Sequence, residues 1–428
     1  MKRSVKLMFA LCLIAVLCFS LTIYAAPQAN LRFVWWGGES RHKATMDAIE
    51  LYMKENPGVK INGEYGGFSG YQQKLLTQLA GGMAPDIIQI DQPWLADMMS
   101  QGDLFVDLYK QKEIQLSGFD KKFLKSQCEW NGKLAGLPTG VSGLIYFANT
   151  DFLAKHKIAP TIKWDWDKLL EVGTRVHKEN KDHYLLTMDL THLEYMIKMY
   201  VKQNTGIQQW VNDDFTPGFD KASLTKAFAY YQKLLQTGTI PPLEDTILFT
   251  GKTEQNPKWG NGQIGLAENW VSASPLFTLD GKLKLAVMAP PVMSGSKNSG
   301  IIVRPAQMIV INKKSSNVKE AAKFVNWFFN NSKAAMLLKT ERGIPPTQSA
   351  LKALQNANQI EANMVKGINL SMKAAGTPEN ALTTNKELNT IFDDYIQKVG
   401  FKRLTPEDAA DRMLKDFKAK LAELKNQK

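Results

Sequence analysis

Between Leu31 and Trp94 the chain alternates strand, helix, strand, helix and strand, and that order restricts the fold more than any other feature. Segment 31–36 is apolar and stops at Gly37-Gly38. Met46, Ile49 and Met53 then recur at helical spacing up to Pro57-Gly58. Residues 59–65 alternate apolar with polar, a helix over 72–80 ends at Gly81-Gly82, and 85–91 reads as a third strand. Strands separated by helices pair in parallel through crossovers, so a sheet with helices on its faces is expected.

Ligands of such sheets bind beyond the carboxyl ends of the strands. Trp35, Trp36, Phe68, Tyr71 and Trp94 fall at those ends or in the loops after them, beside Glu39, Arg41, Gln72, Asp91 and Gln92. Ring faces pack on the C–H face of a pyranose while the polar groups meet its hydroxyls, so the set suits a sugar. Each aromatic taken singly also reads as ordinary core. Doubled tryptophan followed by Gly-Gly is a poor ending for a purely structural strand.

Three segments resemble the extracellular solute-binding proteins of sugar-type ABC importers, of the maltodextrin and oligosaccharide kind. They are Trp35-Trp36-Gly37-Gly38, Asn56-Pro57-Gly58-Val59, and Ala80-Gly81-Gly82-Met83-Ala84-Pro85-Asp86. The resemblance implies an α/β, two-lobed periplasmic-binding-protein fold, each lobe a mostly parallel sheet flanked by helices, the lobes joined by a hinge that closes on ligand. It implies a first lobe of residues 27–139 and 304–345 and a second of 140–303 and 346–428. A saccharide ligand and the membrane permease subunits of an importer are the implied partners.

A length of 428 residues fits two domains. Residues 1–26 read as a signal peptide: Lys2, Arg3 and Lys6 precede an apolar run, and Tyr24-Ala25-Ala26 offers small residues for cleavage. The run is short for a membrane span, and Leu11 and Leu17 stand where a lipoprotein signal before Cys12 or Cys18 needs a small residue. A free periplasmic protein is therefore expected. Removing the leader lowers the formal charge from +12 to +9 and leaves one cysteine, Cys128, so neither an intrachain disulfide nor a cysteine metal site is available. No metal or cofactor is called for. The basic excess is scattered over lysine-rich helices, which argues against nucleic acid and leaves a solvated surface or attraction of anions open. A monomer is expected.

Along the rest of the chain, 127–138 reads as a hairpin about Asn131-Gly132. Segment 139–150 resembles the crossing to the second lobe, with Ser142 and Tyr146 either facing the cleft or filling the strand. Asp189, at the end of a strand, is a cleft candidate by position. Asn261-Gly262-Gln263 leading to Asn269-Trp270 is a second family match, and relatives stack an aromatic at this strand end on the ligand, which nominates Trp270. Arg304, inside the apolar run 301–311, either pairs with a structural carboxylate or meets an acidic ligand through its bidentate fork. Gly343-Ile344-Pro345-Pro346 is a third match, with Arg342 beside it a further contact candidate.

No Gly-x-Ser-x-Gly elbow, His-Glu-x-x-His or phosphate loop is present. A binder rather than an enzyme is expected. Its ligand is a mono- or oligosaccharide, with the arginines leaning toward one that contains uronate. A polyamine or other non-sugar ligand on the same fold, and a secreted carbohydrate-active enzyme, are the competing readings.

Overall fold

A computed structural model describes residues 29–68, 70–279, 281–380 and 382–426. The expected signal peptide lies outside the described residues.

Two mixed sheets organise the molecule. β1 (Ala29–Trp36), β2 (Val59–Gly66) and β3 (Ile87–Ile90) run parallel in the order β2-β1-β3, with helices Glu39–Glu55 and Tyr71–Ala80 as the crossovers. Asn131 and Gly132, at φ 47° and 78°, make the tight turn between β4 (Glu129–Trp130) and β5 (Lys133–Leu134). Two-residue hairpins need positive φ at both central positions, which an Asn-Gly pair supplies. β6 (Leu137–Pro138) rejoins the first sheet, and the chain then leaves it.

β7 (Val141–Asn149) is a central strand of the second sheet. β8 (Tyr184–Thr187) and β9 (Ile264–Trp270) pair in parallel, β9 is antiparallel to β7, and β10 (Leu285–Met288) closes the other edge antiparallel. β11 (Val303–Pro305) pairs with the start of β7, and β12 (Met308–Ile311) re-enters the first sheet between β3 and β6, antiparallel to both. The sheets are more mixed than the crossover pattern alone implies. The cause lies in β6–β7 and β11–β12, which pass directly between sheets in opposite senses with no crossover helix.

All nine residues of β7 are buried because both of its faces are covered. Tyr146 and Ala148 point into a core with helices Leu190–Thr205, Lys221–Gln236 and Pro406–Asn426. Ile145 and Phe147 point the other way, against Trp259, Phe277 and helix Ala362–Ala374. Between the sheets three chain segments run side by side. Thr139 N–H donates to Gln307 O, Ala306 N–H to Gly140 O and Val141 N–H to Ile344 O, each at 2.8 Å. A Cβ on Gly140 would stand 2.4 Å from Arg342 O, so only glycine admits the third segment this closely.

Candidate ligand-binding cleft

The ends of the two sheets meet around a cavity of about 240 Å³. Gln92, Pro93 and Gln127 line it from the first sheet's side, and Glu194, Tyr195, Lys198, Trp270, Arg304 and Glu379 from the second's. A neighbouring cavity of about 630 Å³ shares Gln92, Pro93, Gln127 and the segment 377–379, and continues the cleft toward Trp130 and Asp213. Gln127 Nε2 donates to Val303 O across the gap at 2.9 Å.

Helix Leu190–Thr205 builds the floor. Asp189 caps it, accepting from His192 N at 3.0 Å, and Gly206 ends it at φ 76°. Tyr195, Lys198 and Lys202 follow at helical spacing toward the cleft, and Glu194 forms an ion pair with Lys198 one turn on. Lys202, with no exposed surface, holds Glu379 at 2.9 Å. Burial works against the Lys198 ammonium, but Glu194 and Glu379 together raise it above the ordinary lysine value.

Above this floor the Arg304 guanidinium lies 4.6 Å from the centre of the Trp270 ring, and Tyr195 meets Trp270 edge-on at 5.9 Å. Trp270 ends β9 and Arg304 lies in β11, so two strands set the stack. Arg304 is exposed, donates no hydrogen bond and has no carboxylate within ion-pair distance among the described residues. Its field is felt at Asp91: burial raises that carboxyl, and Arg304 and the Gln92 N–H oppose the rise. The cleft thus presents one unpaired guanidinium beside an aromatic face, on a floor whose other charges are matched.

The sequence pattern of the bacterial extracellular solute-binding proteins matches residues 47–363. The chain belongs to that family. Its members are non-enzymatic binding proteins, and this solute-binding protein is the solute-binding component of an ABC transporter. A candidate binding protein of Brucella abortus is 23% identical over 309 residues, 71% of this chain and 72% of that one. A periplasmic oligogalacturonide-binding protein from Yersinia enterocolitica is 26% identical, with a TM-score of 0.79 over 92% of this chain and 99% of its own. Its complex with saturated digalacturonic acid aligns at 0.71. A de novo designed cysteine esterase aligns at 0.85, with 25% identity, over 94% of this chain and all of that one. Cys128, the one cysteine among the described residues, has no exposed surface, and burial pushes its thiol well above the ordinary value. No helix among the described residues is long and apolar enough to cross a membrane.

In this solute-binding protein the residues nominated from sequence divide sharply. Trp36, Phe68, Tyr71 and Trp94 form one aromatic cluster at the end of β1, with Trp36–Trp94 at 5.3 Å and Phe68 stacked on Trp94 at 5.7 Å. Phe68 is 55% exposed, whereas Trp36 and Tyr71 are buried. Glu39 is exposed in the first turn of helix Glu39–Glu55, where a carboxylate suits the helix dipole. Arg41 donates through Nε to Glu341 O at 3.0 Å.

Others are buried. Trp35 points to the opposite face of β1 from Trp36. It has no exposed surface, and its Nε1 donates to His42 Nδ1 at 3.1 Å. The Tyr71 hydroxyl donates to Gln89 O at 2.8 Å, and burial raises it far above an ordinary phenol. Arg342, 2% exposed, spends its guanidinium on Thr45 Oγ1 and Gln89 Oε1, and burial, with Arg41 nearby, pushes it down to about 9. Ser142 Oγ sits 3.3 Å from the Oγ of exposed Ser272, in the turn just past Trp270, and Tyr146 is wholly buried.

Asp189 also turns inward: it accepts from His192 Nδ1 at 2.8 Å and Gly251 N at 2.8 Å. Burial alone would raise this carboxyl, but those bonds and the His192 ring hold it down at about 2. Beside it Glu268 is wholly buried with no hydrogen-bond partner for either oxygen among the described residues, and burial raises it well above the carboxylate range.

The floor residues Tyr195, Lys198 and Glu379 and the wall residue Gln127 escaped the sequence reading. One signal was there: Glu194, Lys198 and Lys202 recur every four residues through otherwise apolar Met196, Ile197, Met199 and Val201, placing a charged stripe on a helix buried all round. Glu379 and Gln127 carry no local signal.

Proposed function

We propose that this solute-binding protein captures a saccharide bearing a carboxylate, a uronate-containing oligosaccharide, and hands it to the permease of its importer. One observation carries the ligand class. Arg304 is fixed over Trp270 with all its donors free, while Lys198, the other cation lining the same cavity, is matched by Glu194. A planar guanidinium binds a carboxylate bidentately, and a tryptophan beside it offers a face to the ring that bears the carboxylate. The likeness to an oligogalacturonide-binding protein supports the same choice.

In this reading the sheets are two lobes, residues 27–139 with 304–345 and 140–303 with 346–428, except that residues 303–305 pair with the second sheet. The lobes rotate about the three segments at 139–141, 305–307 and 342–344. Ligand selects the closed form by contacting both lobes. The mature protein begins after residue 26 and works as a monomer in the periplasm.

Calorimetric titration of the mature protein with digalacturonate, neutral oligosaccharides and spermidine tests the assignment. Digalacturonate is expected to bind, and Arg304→Gln to weaken it by about tenfold or more, the worth of a charge-assisted hydrogen-bond pair. Binding of neutral sugars alone, or an Arg304→Gln protein with unchanged affinity, would remove the carboxylate from the reading. A signal from spermidine alone would remove the sugar and make Asp91 and Glu379 the recognition groups.

A further inference from the structure

A second cavity lies outside the cleft. A groove of about 950 Å³ runs along the second sheet's β10 edge, between loop 160–164, loop 289–299 and helix Ala362–Ala374. Four lysines stand around it: Lys163, Lys297, Lys366 and Lys373. All are exposed, and among the described residues none has a hydrogen bond or ion pair. Among the described residues no carboxylate lines the groove. Its remaining surface is largely apolar, from Ile162, Val287, Pro290, Val292 and Leu370.

The chemistry differs from the cleft's. The wall's polar groups are already used: Ser296 Oγ donates to Asn298 O at 2.8 Å, and Asn298 Nδ2 to Ile207 O at 2.8 Å. Trp164 is buried with its Nε1 on Met288 Sδ, so it offers no open ring face. A saccharide needs acceptors for its hydroxyls and a flat face for its ring, and this groove supplies neither. Free ammonium groups over apolar surface suit an occupant that is acidic and apolar together. Lys366 and Lys373 are two helical turns apart, about 10 Å along the axis, so one carboxylate does not serve both.

We propose that this groove is a docking site for an acidic polypeptide segment that carries apolar side chains between its carboxylates. The segment Gly376-Thr377 lines both the groove and the ligand cavity, with Gly376 N–H on Ile301 O at 2.9 Å. A docked partner therefore sits one backbone segment away from the bound solute.

Fluorescence anisotropy of a labelled peptide alternating glutamate with leucine, on the full mature protein, tests the proposal. The peptide is expected to bind, to weaken with added salt, and to bind at least about tenfold more weakly to the Lys297→Glu/Lys373→Glu protein, the scale of reversing two facing charges. The glutamine–leucine analogue is expected not to bind. Both lysines are exposed, so thermal unfolding should be unchanged, and a Leu370→Ser protein examines the apolar part separately with the same expected loss. Absence of peptide binding, or binding indifferent to the charge reversals, overturns the proposal. So does displacement of the peptide by oligogalacturonate or by phosphatidylglycerol vesicles, which would assign the groove to a sugar or to a membrane surface.

Discussion

The two walls of the cleft are built on different principles. On the first sheet's side Trp36, Phe68, Tyr71 and Trp94 pack on one another next to Gln92 and Pro93, and Phe68 alone among the four is mostly exposed. On the second sheet's side a helix carries buried ions, Glu194 with Lys198 and Lys202 with Glu379, and Arg304 stands unpaired above them. An aromatic wall tolerates small shifts of a ligand because dispersion and stacking are weakly directional. A wall of paired charges does not, since a buried ion that loses its partner keeps its full desolvation cost. Under the proposed function the first wall holds a sugar in several poses, and the second decides which pose, and which charge, is accepted.

The contrast can be broken most forcefully at Lys202. Lys202→Met strands Glu379 in a site it cannot leave and is expected to cost about 3–5 kcal/mol in denaturant unfolding. A loss under about 1 kcal/mol would mean that the ions of the second wall are dispensable to the fold.

Asp189→Ala comes next, at about 2 kcal/mol, because it removes a helix cap and strands the Gly251 N–H. Its pH signature is specific. The carboxyl is held at about 2 against an ordinary 3.8, so its contribution is complete above pH 3.8 and is lost as pH falls toward 2. The variant's unfolding curve should be flatter than wild type across that window.

Phe68→Ala sharpens the comparison from the other side. With Phe68 more than half exposed, stability should change by no more than about 0.5 kcal/mol. Saccharide affinity should fall about three- to tenfold, the worth of one stacking contact. Equal losses of stability at Phe68 and Lys202 would erase the distinction between the walls.

The smallest effect is expected at Asp393, raised to about 7 by burial and by Glu194 against the pull of Lys198. It is neutral below pH 7 and anionic above, so affinity for an acidic saccharide should decline as pH rises through 7. Asp393→Asn should flatten that decline. Titrations at pH 6 and pH 8 on both proteins check it.

Much of the fold was legible because its signals are local. The Asn131-Gly132 turn lies where positive φ was demanded, and Gly81 ends helix Tyr71–Ala80 as the sequence suggested. Thr405 Oγ1 accepts from Asp408 N at the start of the last helix, with Pro406 as its first residue, a local Thr-Pro start signal. The site was legible in part. Gln92, Trp270 and Arg304 line the cavity, and Trp36 and Trp94 lie in the aromatic cluster at the end of β1, because strand ends in α/β sheets converge whatever the sequence. Asp189 and Arg342 have the residue types of ligand contacts and the same positions at strand and turn ends. Their partners, Gly251, Thr253 and His192 for one and Thr45 and Gln89 for the other, come from other elements.

The sequence by itself determined the order of strands and helices, the turns and caps that bound them, and the family to which they add up. Each depends on interactions within a few residues, whose energies are written in the identities of neighbours. Only the tertiary structure decided that Trp36 joins the Phe68, Tyr71 and Trp94 cluster while Trp35 turns to the opposite face, that Tyr146 is core, and that Tyr195, Lys198 and Glu379 line the cavity beside Trp270. Alternation along a strand says that neighbours face opposite ways, not which face another layer will cover. That choice belongs to helices folded from elsewhere in the chain: Val318–Asn330 against Phe33, which shares its strand face with Trp35, and Leu190–Thr205 in the core that holds Tyr146.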